Sequence, residues 1–217
     1  MATLKEQGFY MPGEWHPHRR CWMAWPSNAG GYSGQFAEAR QAAARVAAAI
    51  ARFEPVIMLA NETDIIEAQT LCGLSVEVQA APIDDGWFRD NGPSFVIDGR
   101  GNIRGVNWDF NGWGRKPGIP FTRDRAVTKH ILAREEIACV ASPLILEGGS
   151  FHVDGEGTLL TTRQCLLNPN RNPQLSREQV EKYLSDYLAI DKVLWLTGGE
   201  MAGDDTDGHI DQIARFV

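Results

Sequence analysis

Three stretches of the chain concentrate side chains that could do chemistry. Trp87-Phe88-Arg89-Asp90-Asn91-Gly92-Pro93 sets an aromatic ring, a guanidinium and a carboxylate just before a Gly-Pro turn, where a loop can aim them into a cleft. The same run also reads as a surface pair of Arg89 with Asp90 beside a buried tryptophan. Gly203 to Asp211, GDDTDGHID, packs four carboxylates and a histidine into nine positions, denser than a solvated loop needs. Taken as an extended strand, it puts His209 and Asp211 on one face, an arrangement suited to acid–base chemistry beside a cationic group. Glu147 follows the apolar run Pro143 to Leu146, at the mouth of a buried strand where a carboxylate needs a partner. His209 is the candidate for that partner.

The elements that must position these groups can be read from periodicity. Gln35 to Phe53 is rich in helix formers, with Phe36, Ala39, Ala43, Val46, Ile50 and Phe53 recurring at three- and four-residue steps. Pro55 ends this amphipathic helix, and Val56 to Ala60 follows as a short apolar strand. Asn61 to Cys72 reads as a second helix closed by Gly73, and Val76 to Ala80 as another strand. Asp124 to Ile137 and Arg177 to Leu188 are helical by the same test, the latter opened by a Ser176/Gln179 capping box. Val193 to Leu196 is the strand after it.

An internal repeat ties the chemistry to this framework. Asp90 to Ile103, DNGPSFVIDGRGNI, returns as Glu147 to Leu159, EGGSFHVDGEGTL, with Phe95, Asp98, Gly99 and Gly101 matching Phe151, Asp154, Gly155 and Gly157. Each copy is an acidic residue, a Gly turn, a strand, a D-G-x-G hairpin turn and a return strand. A third copy, DQIARFV, starts at Asp211 and reads as a strand that stops at Val217 before any hairpin. Modules of this kind arranged about an axis would bring Asp90, Glu147 and Asp211 to one site. A strand left without its return partner exposes backbone, so the natural protein is expected to continue beyond Val217.

Composition narrows the class. With 217 residues, 43% of them apolar, the chain can bury a substantial core. The start MATLKEQGFYMPGEW has no apolar segment behind a basic one, and no stretch is long enough to span a bilayer, so the reading is a cytoplasmic protein with no membrane partner. Cys21, Cys72, Cys139 and Cys165 are too widely spaced for a zinc ribbon and read as free thiols. A net charge of -7 without a basic stripe argues against nucleic acid and is compatible with a small cationic ligand.

Four motifs, taken together, resemble one family. W-x-R-D-x-G-P at Trp87 to Pro93, L-E-G-G-S at Leu146 to Ser150, CLLNPNRNP at Cys165 to Pro173 and D-T-D-G-H-x-D-x-x-x-R-F at Asp205 to Phe216 are similar to signatures of the agmatine deiminase and bacterial-type peptidylarginine deiminase family. The opening M-P-G-E-W-H-P-H and W-M-A-W-P are similar to its N-terminal signature. The resemblance implies a pentein, a five-module α/β propeller, here an incomplete ring of roughly three to four modules forming one partial catalytic domain over residues 1–217. It implies that Asp90 and Asp211 bind a guanidinium and that Glu147 and His209 are catalytic. Trp87 reads either as a wall of the cleft that packs on the substrate's aliphatic chain or as a purely structural residue. The nucleophilic cysteine of the family lies in a Gly-rich C-terminal motif that this sequence lacks, so no nucleophile is assigned here. Cys165 lies in a family-like stretch in which Arg163 stands where an acidic residue is expected.

The expected activity is hydrolysis of agmatine to N-carbamoylputrescine and ammonia, without cofactor or metal, in a homo-oligomer, with this chain alone inactive. A guanidinium stays protonated and presents planar forked donors, so two carboxylates can hold it. They would have to lie within about 12 Å of each other to share one such group with bridging waters. Peptidylarginine deimination is the alternative within the family. Outside it stand a metal-dependent hydrolase using His209, Asp211, Asp205, Asp207 and His152, and a non-catalytic module that binds a cation or partner.

Overall fold

A computed structural model describes residues 2–198 and 203–217. The chain clusters into two compact units, one of Met1–His16, Arg89–Ile119 and Thr128–Val217, the other of Pro17–Phe88 and Pro120–Val127. None of the described helices is long and apolar enough to cross a membrane.

The unit built on Pro17–Phe88 is a parallel three-stranded sheet in the order β1 (Cys21–Ala24), β2 (Val56–Ala60), β3 (Glu77–Ala80). The crossovers are α1 (Phe36–Ile50) and α2 (Ile65–Cys72). All five residues of the central strand β2 are buried, as expected of a parallel strand covered on both faces. The helical stripe differs from the one read in the sequence. Ala44 and Ala47 are the buried positions of α1, while Val46 and Phe53 are 51% and 86% exposed. Small alanine side chains form the face that packs, and the bulkier residues one step away point outward. Asn61, read as the start of α2, instead precedes a 3-10 turn at Glu62–Asp64.

From Phe88 onward one module occurs twice along the chain. In the first copy α3 (Phe88–Asn91) leads into the antiparallel pair β4 (Ser94–Ile97) and β5 (Ile103–Asp109). The one-turn segment α4 (Gly112–Arg115), α5 (Asp124–Arg134) and β6 (Ala138–Ile145) follow, and β6 is parallel to β5. In the second, β7 (Phe151–Val153) and β8 (Thr158–Thr162) form the hairpin. α6 (Arg163–Leu166) and α7 (Arg177–Leu188) then lead to β9 (Lys192–Leu196), parallel to β8.

The repeat extends to atomic detail at the hairpin turns. Asp98 Oδ1 accepts backbone N–H bonds from Arg100 at 2.8 Å and Asn102 at 3.1 Å. Asp154 Oδ1 accepts the equivalent bonds from Glu156 at 2.8 Å and Thr158 at 2.9 Å. The turn glycines have positive φ in both copies, 69° and 94° at Gly99 and Gly101, 80° and 95° at Gly155 and Gly157. Both sheets share a core in which Val96, Val106, Leu144, Phe151 and Leu159 meet Val180, Leu184 and Leu188 of α7. α7 begins with the expected Ser176/Gln179 capping box.

The third copy departs from the pattern. Ile210–Gln212 is a 3-10 turn and the remaining residues to Val217 form no strand. A strand needs a neighbour for its backbone groups, and here the Phe216 N–H is instead bonded to His152 Nδ1 at 3.2 Å.

Candidate functional site

Asp90 lies in α3, immediately before the Gly-Pro turn, and both of its oxygens are held. Gly149 N–H donates to Oδ1 at 2.8 Å and Trp113 Nε1–H donates to Oδ2 at 2.9 Å. The indole reaches Asp90 because α4 is left-handed. Gly112, Trp113, Gly114 and Arg115 have φ of 67°, 53°, 90° and 60°, and the Asn111 side chain accepts from Gly114 N–H to close the turn. Such backbone is unfavourable for tryptophan and arginine and persists where surrounding contacts hold it.

Gly149 marks the meeting point of the candidate residues. A Cβ there would lie 2.6 Å from Asp211 Oδ2, 2.6 Å from His209 Nδ1 and 2.7 Å from Asp90 Oδ1. The carboxylates of Asp90 and Asp211 therefore approach to within the sum of two such distances, well inside the span of one guanidinium. Asp211 is the exposed member of the group, whereas the Asp90 side chain is 10% exposed and His209 is buried.

His209 and Asp211 do not share the face of an extended strand. His209 precedes the 3-10 turn that contains Asp211, and the tight winding of that turn brings both side chains to Gly149. The four carboxylates of this segment divide their tasks. Asp204 builds the turn by accepting from Thr206 N–H at 2.7 Å and from Gly208 N–H. Asp205 is exposed, Asp207 joins an ion-pair network, and only Asp211 faces Gly149.

Glu147 lies fully buried behind His209, with Oε2 at 3.6 Å from His209 Nε2; His209 Nδ1 is 3.6 Å from Asp90 Oδ1. Both separations exceed a hydrogen bond, so the interaction is electrostatic. Cys165, on α6, completes the cluster. Its sulfur, a Glu147 oxygen and a His209 ring nitrogen lie within 4.8 Å of one another. Burial would lower the proton affinity of His209, but Cys165, Glu147 and Asp90 outweigh it and raise the pKa to about 11. Burial raises the Asp90 carboxyl against the opposing pull of His209, Trp113 and Gly149 N–H. The Cys165 thiol is also pushed up by burial.

Other expectations need revision. Arg89 does not pair with Asp90; it bonds Glu14 of the N-terminal motif and donates from Nε to Gly148 O at 3.1 Å. Glu14 also meets Arg215 Nη2 at 2.9 Å and His152 Nε2 at 3.1 Å, locking three separate motifs together. The ligand set considered for a metal-dependent hydrolase does not assemble, because His152 is paired with Glu14 and Asp207 with Arg171 and Lys116. Among the described residues, Glu147, Cys165 and His209 are the group close enough to hold an ion. Trp87 belongs to the other compact unit, where it is half-exposed and stacks on Tyr32 with ring centroids 6.0 Å apart. Arg163 is exposed at the first position of α6.

Sequence reasoning missed Trp113 and Arg171. Asn-Gly-Trp-Gly is a turn signal that could have drawn attention to the first. The second lay within the quoted CLLNPNRNP run, but nothing in that run shows that its guanidinium is buried.

Residues 10–217 match the model of the Porphyromonas-type peptidyl-arginine deiminases. The chain belongs to that family. It is 47% identical to an agmatine deiminase of Stutzerimonas stutzeri, covering 100% of this chain and 60% of that protein. It is 46% identical to one of Pseudomonas aeruginosa at the same coverage. The solved agmatine deiminase of Enterococcus faecalis superimposes with a TM-score of 0.94 at 40% identity, covering 100% of this chain and 60% of that one. A C. jejuni agmatine deiminase with substrate bound gives a TM-score of 0.86 at 29% identity, covering 96% and 62%. The chain thus spans about three fifths of the length of these relatives. Its fold is the mixed α/β fold of the solved agmatine deiminases.

Proposed function

We propose that the whole protein is an agmatine deiminase, converting agmatine and water into N-carbamoylputrescine and ammonia within a pentein ring to which these residues contribute. The reading is supported above all by the convergence of Asp90, Asp211 and His209 on Gly149. Two carboxylates facing one another over a glycine match a planar cation with donors on both edges. No cofactor enters the scheme.

His209, carrying its proton, stands beside the anionic groups as a general acid. A thiolate attacks the guanidinium carbon, a C–N bond breaks, and His209 gives its proton to the departing ammonia. Water then adds to the thiouronium carbon, its proton passes to the neutral His209, and the C–S bond breaks to free the ureido product and the thiolate. Glu147 steadies the imidazolium from the other side of the ring. The thiolate is assigned to none of the four cysteines of this chain. Cys165 sits behind His209 with a thiol raised by burial, and Cys21, Cys72 and Cys139 have thiols raised for the same reason.

The test is ammonia release by the chain joined to the C-terminal part of a family member, offered agmatine or an arginine peptide. Release from agmatine is the expected outcome, with the 217-residue chain silent by itself. Release from the peptide and not from agmatine would overturn the substrate assignment.

A further inference from the structure

Arg171 lies in the loop between α6 and α7, and its side chain is completely buried. Nε–H donates to Glu147 Oε1 at 2.8 Å. Nη1–H donates to Asp207 Oδ2 at 2.6 Å and Asn170 Oδ1 at 2.7 Å, and Nη2–H to Thr206 O at 3.1 Å. Every nitrogen of the fork is used, on two segments that both carry candidate catalytic groups. The side of the fork nearest α4 is sealed, since a Cβ on Gly114 would lie 2.7 Å from Arg171 Nη1 and 2.4 Å from Asn170 Nδ2.

Glu147 is equally buried, yet only its Oε1 is bonded. Oε2 has no hydrogen-bond partner and faces His209 Nε2, which has none either. A carboxylate rotates freely unless one oxygen is anchored. We propose that Arg171 is a positioning residue: its guanidinium grips one oxygen of Glu147 and the Thr206–Asp207 turn, fixing the other oxygen against His209. This rests on Glu147 and His209 being the acid–base pair. A fully buried ion pair is a weak stabilising device compared with apolar packing of the same volume, so stability alone gives little reason for this arrangement.

The consequence is readable at His209. The groups facing its ring are Glu147, Asp90 of α3, Cys165 of α6 and Asp211 of its own turn, with Asp204 nearby. Removing Arg171 frees Glu147 Oε1, takes a positive charge from near Cys165 and loosens the Thr206–Asp207 turn that precedes His209. The experiment follows the His209 ring by NMR through a pH titration of the 217-residue chain, beside thermal melts, in the unmodified chain and in Glu147→Gln, Arg171→Lys and Arg171→Met. Glu147→Gln is expected to lower the His209 midpoint by about one pH unit or more. Arg171→Met is expected to shift it in the same direction, because Glu147 loses the anchor that holds Oε2 against the ring, and Arg171→Lys to fall between, since it keeps the charge and loses the fork.

If Glu147→Gln leaves the midpoint unmoved, the pair itself is refuted. If Glu147→Gln moves it and neither Arg171 variant does, while both lower the melting temperature, Arg171 is a structural residue only and the inference is overturned. Should Arg171→Met fail to fold, the Lys variant decides, a midpoint equal to that of the unmodified chain counting against the proposal.

Discussion

At the scale of residues, the site is a set of carboxylates with different environments. Asp90 is nearly buried with both oxygens bonded, and its carboxyl is raised by desolvation, so it is partly prepared for a cation that would stabilise its charged form. Cation binding should therefore weaken as pH falls through the raised Asp90 pKa, because a proton then competes for the same oxygens. Titrating agmatine affinity against pH checks this, and Asp90→Asn should remove the dependence. The same substitution should weaken binding by about 2–5 kcal/mol if the pair is desolvated. Asp211→Asn should lose less, since an exposed carboxylate is screened by water. Unchanged KM and kcat in the Asp90→Asn whole enzyme would remove that residue from the site. His209 adds a pH-dependent term to the stability of the fold. Its pKa of about 11 lies above the unfolded value of about 6.5, so its contribution is full below that value and is lost as pH rises through 11. Denaturant unfolding at pH 6 and pH 10 should show the chain less stable at the higher pH, with a smaller difference in His209→Asn.

At the scale of elements, what was legible in the sequence is what local rules determine. The capping box at Ser176, the D-G-x-G turns and the apolar strand Val56–Ala60 each depend on near neighbours, and the structure has them where the sequence put them. The outward Phe53, the left-handed Gly112–Arg115 turn and the 3-10 winding at Asp211 depend on contacts distant in sequence, and periodicity carries no signal for them. Asp90, Glu147, His209 and Asp211 stand out in the sequence because a repeat and dense acidic motifs mark them. Arg171 could not be, since burial rather than residue type makes it unusual. One element-scale device is open to test at the start of α5. Asp84 Oδ2 accepts from Arg123 N–H at 2.7 Å and Asp124 N–H at 3.4 Å, while Asp124 Oδ1 accepts from Asp84 N–H at 2.8 Å. Asp84→Ala should cost about 1 kcal/mol, the usual value of a helix cap, measured by denaturant unfolding. Burial, with Asp84 and Asp85 nearby, lifts Asp124 to about 7 against the bonds it accepts. Since this exceeds the unfolded value of about 3.9, the folded chain binds more protons between those limits and loses stability as pH rises through them. Asp124→Asn should flatten that slope.

At the scale of the whole molecule, the balance lies between charge that keeps copies apart and apolar surface that draws them together. The net charge of -7 favours separation. Against it, Phe53 is 86% exposed, Ile66 80% and Leu74 108%, on α2 and on the turns that follow α1 and α2. These three large apolar side chains lie in water within one unit and are surface that a second copy could cover. Burying each would contribute about 1.5–3 kcal/mol, offset in part by the repulsion between like-charged copies. That repulsion is screened over about 8 Å at physiological ionic strength, so salt should strengthen association rather than weaken it. Sedimentation velocity at increasing protein concentration should show self-association that grows from low to high sodium chloride. The triple variant Phe53→Ser/Ile66→Ser/Leu74→Ser should stay monomeric with an unchanged circular dichroism spectrum, because none of the three packs in the buried core. A chain that remains monomeric at every concentration and salt level would show that these side chains drive no contact between copies.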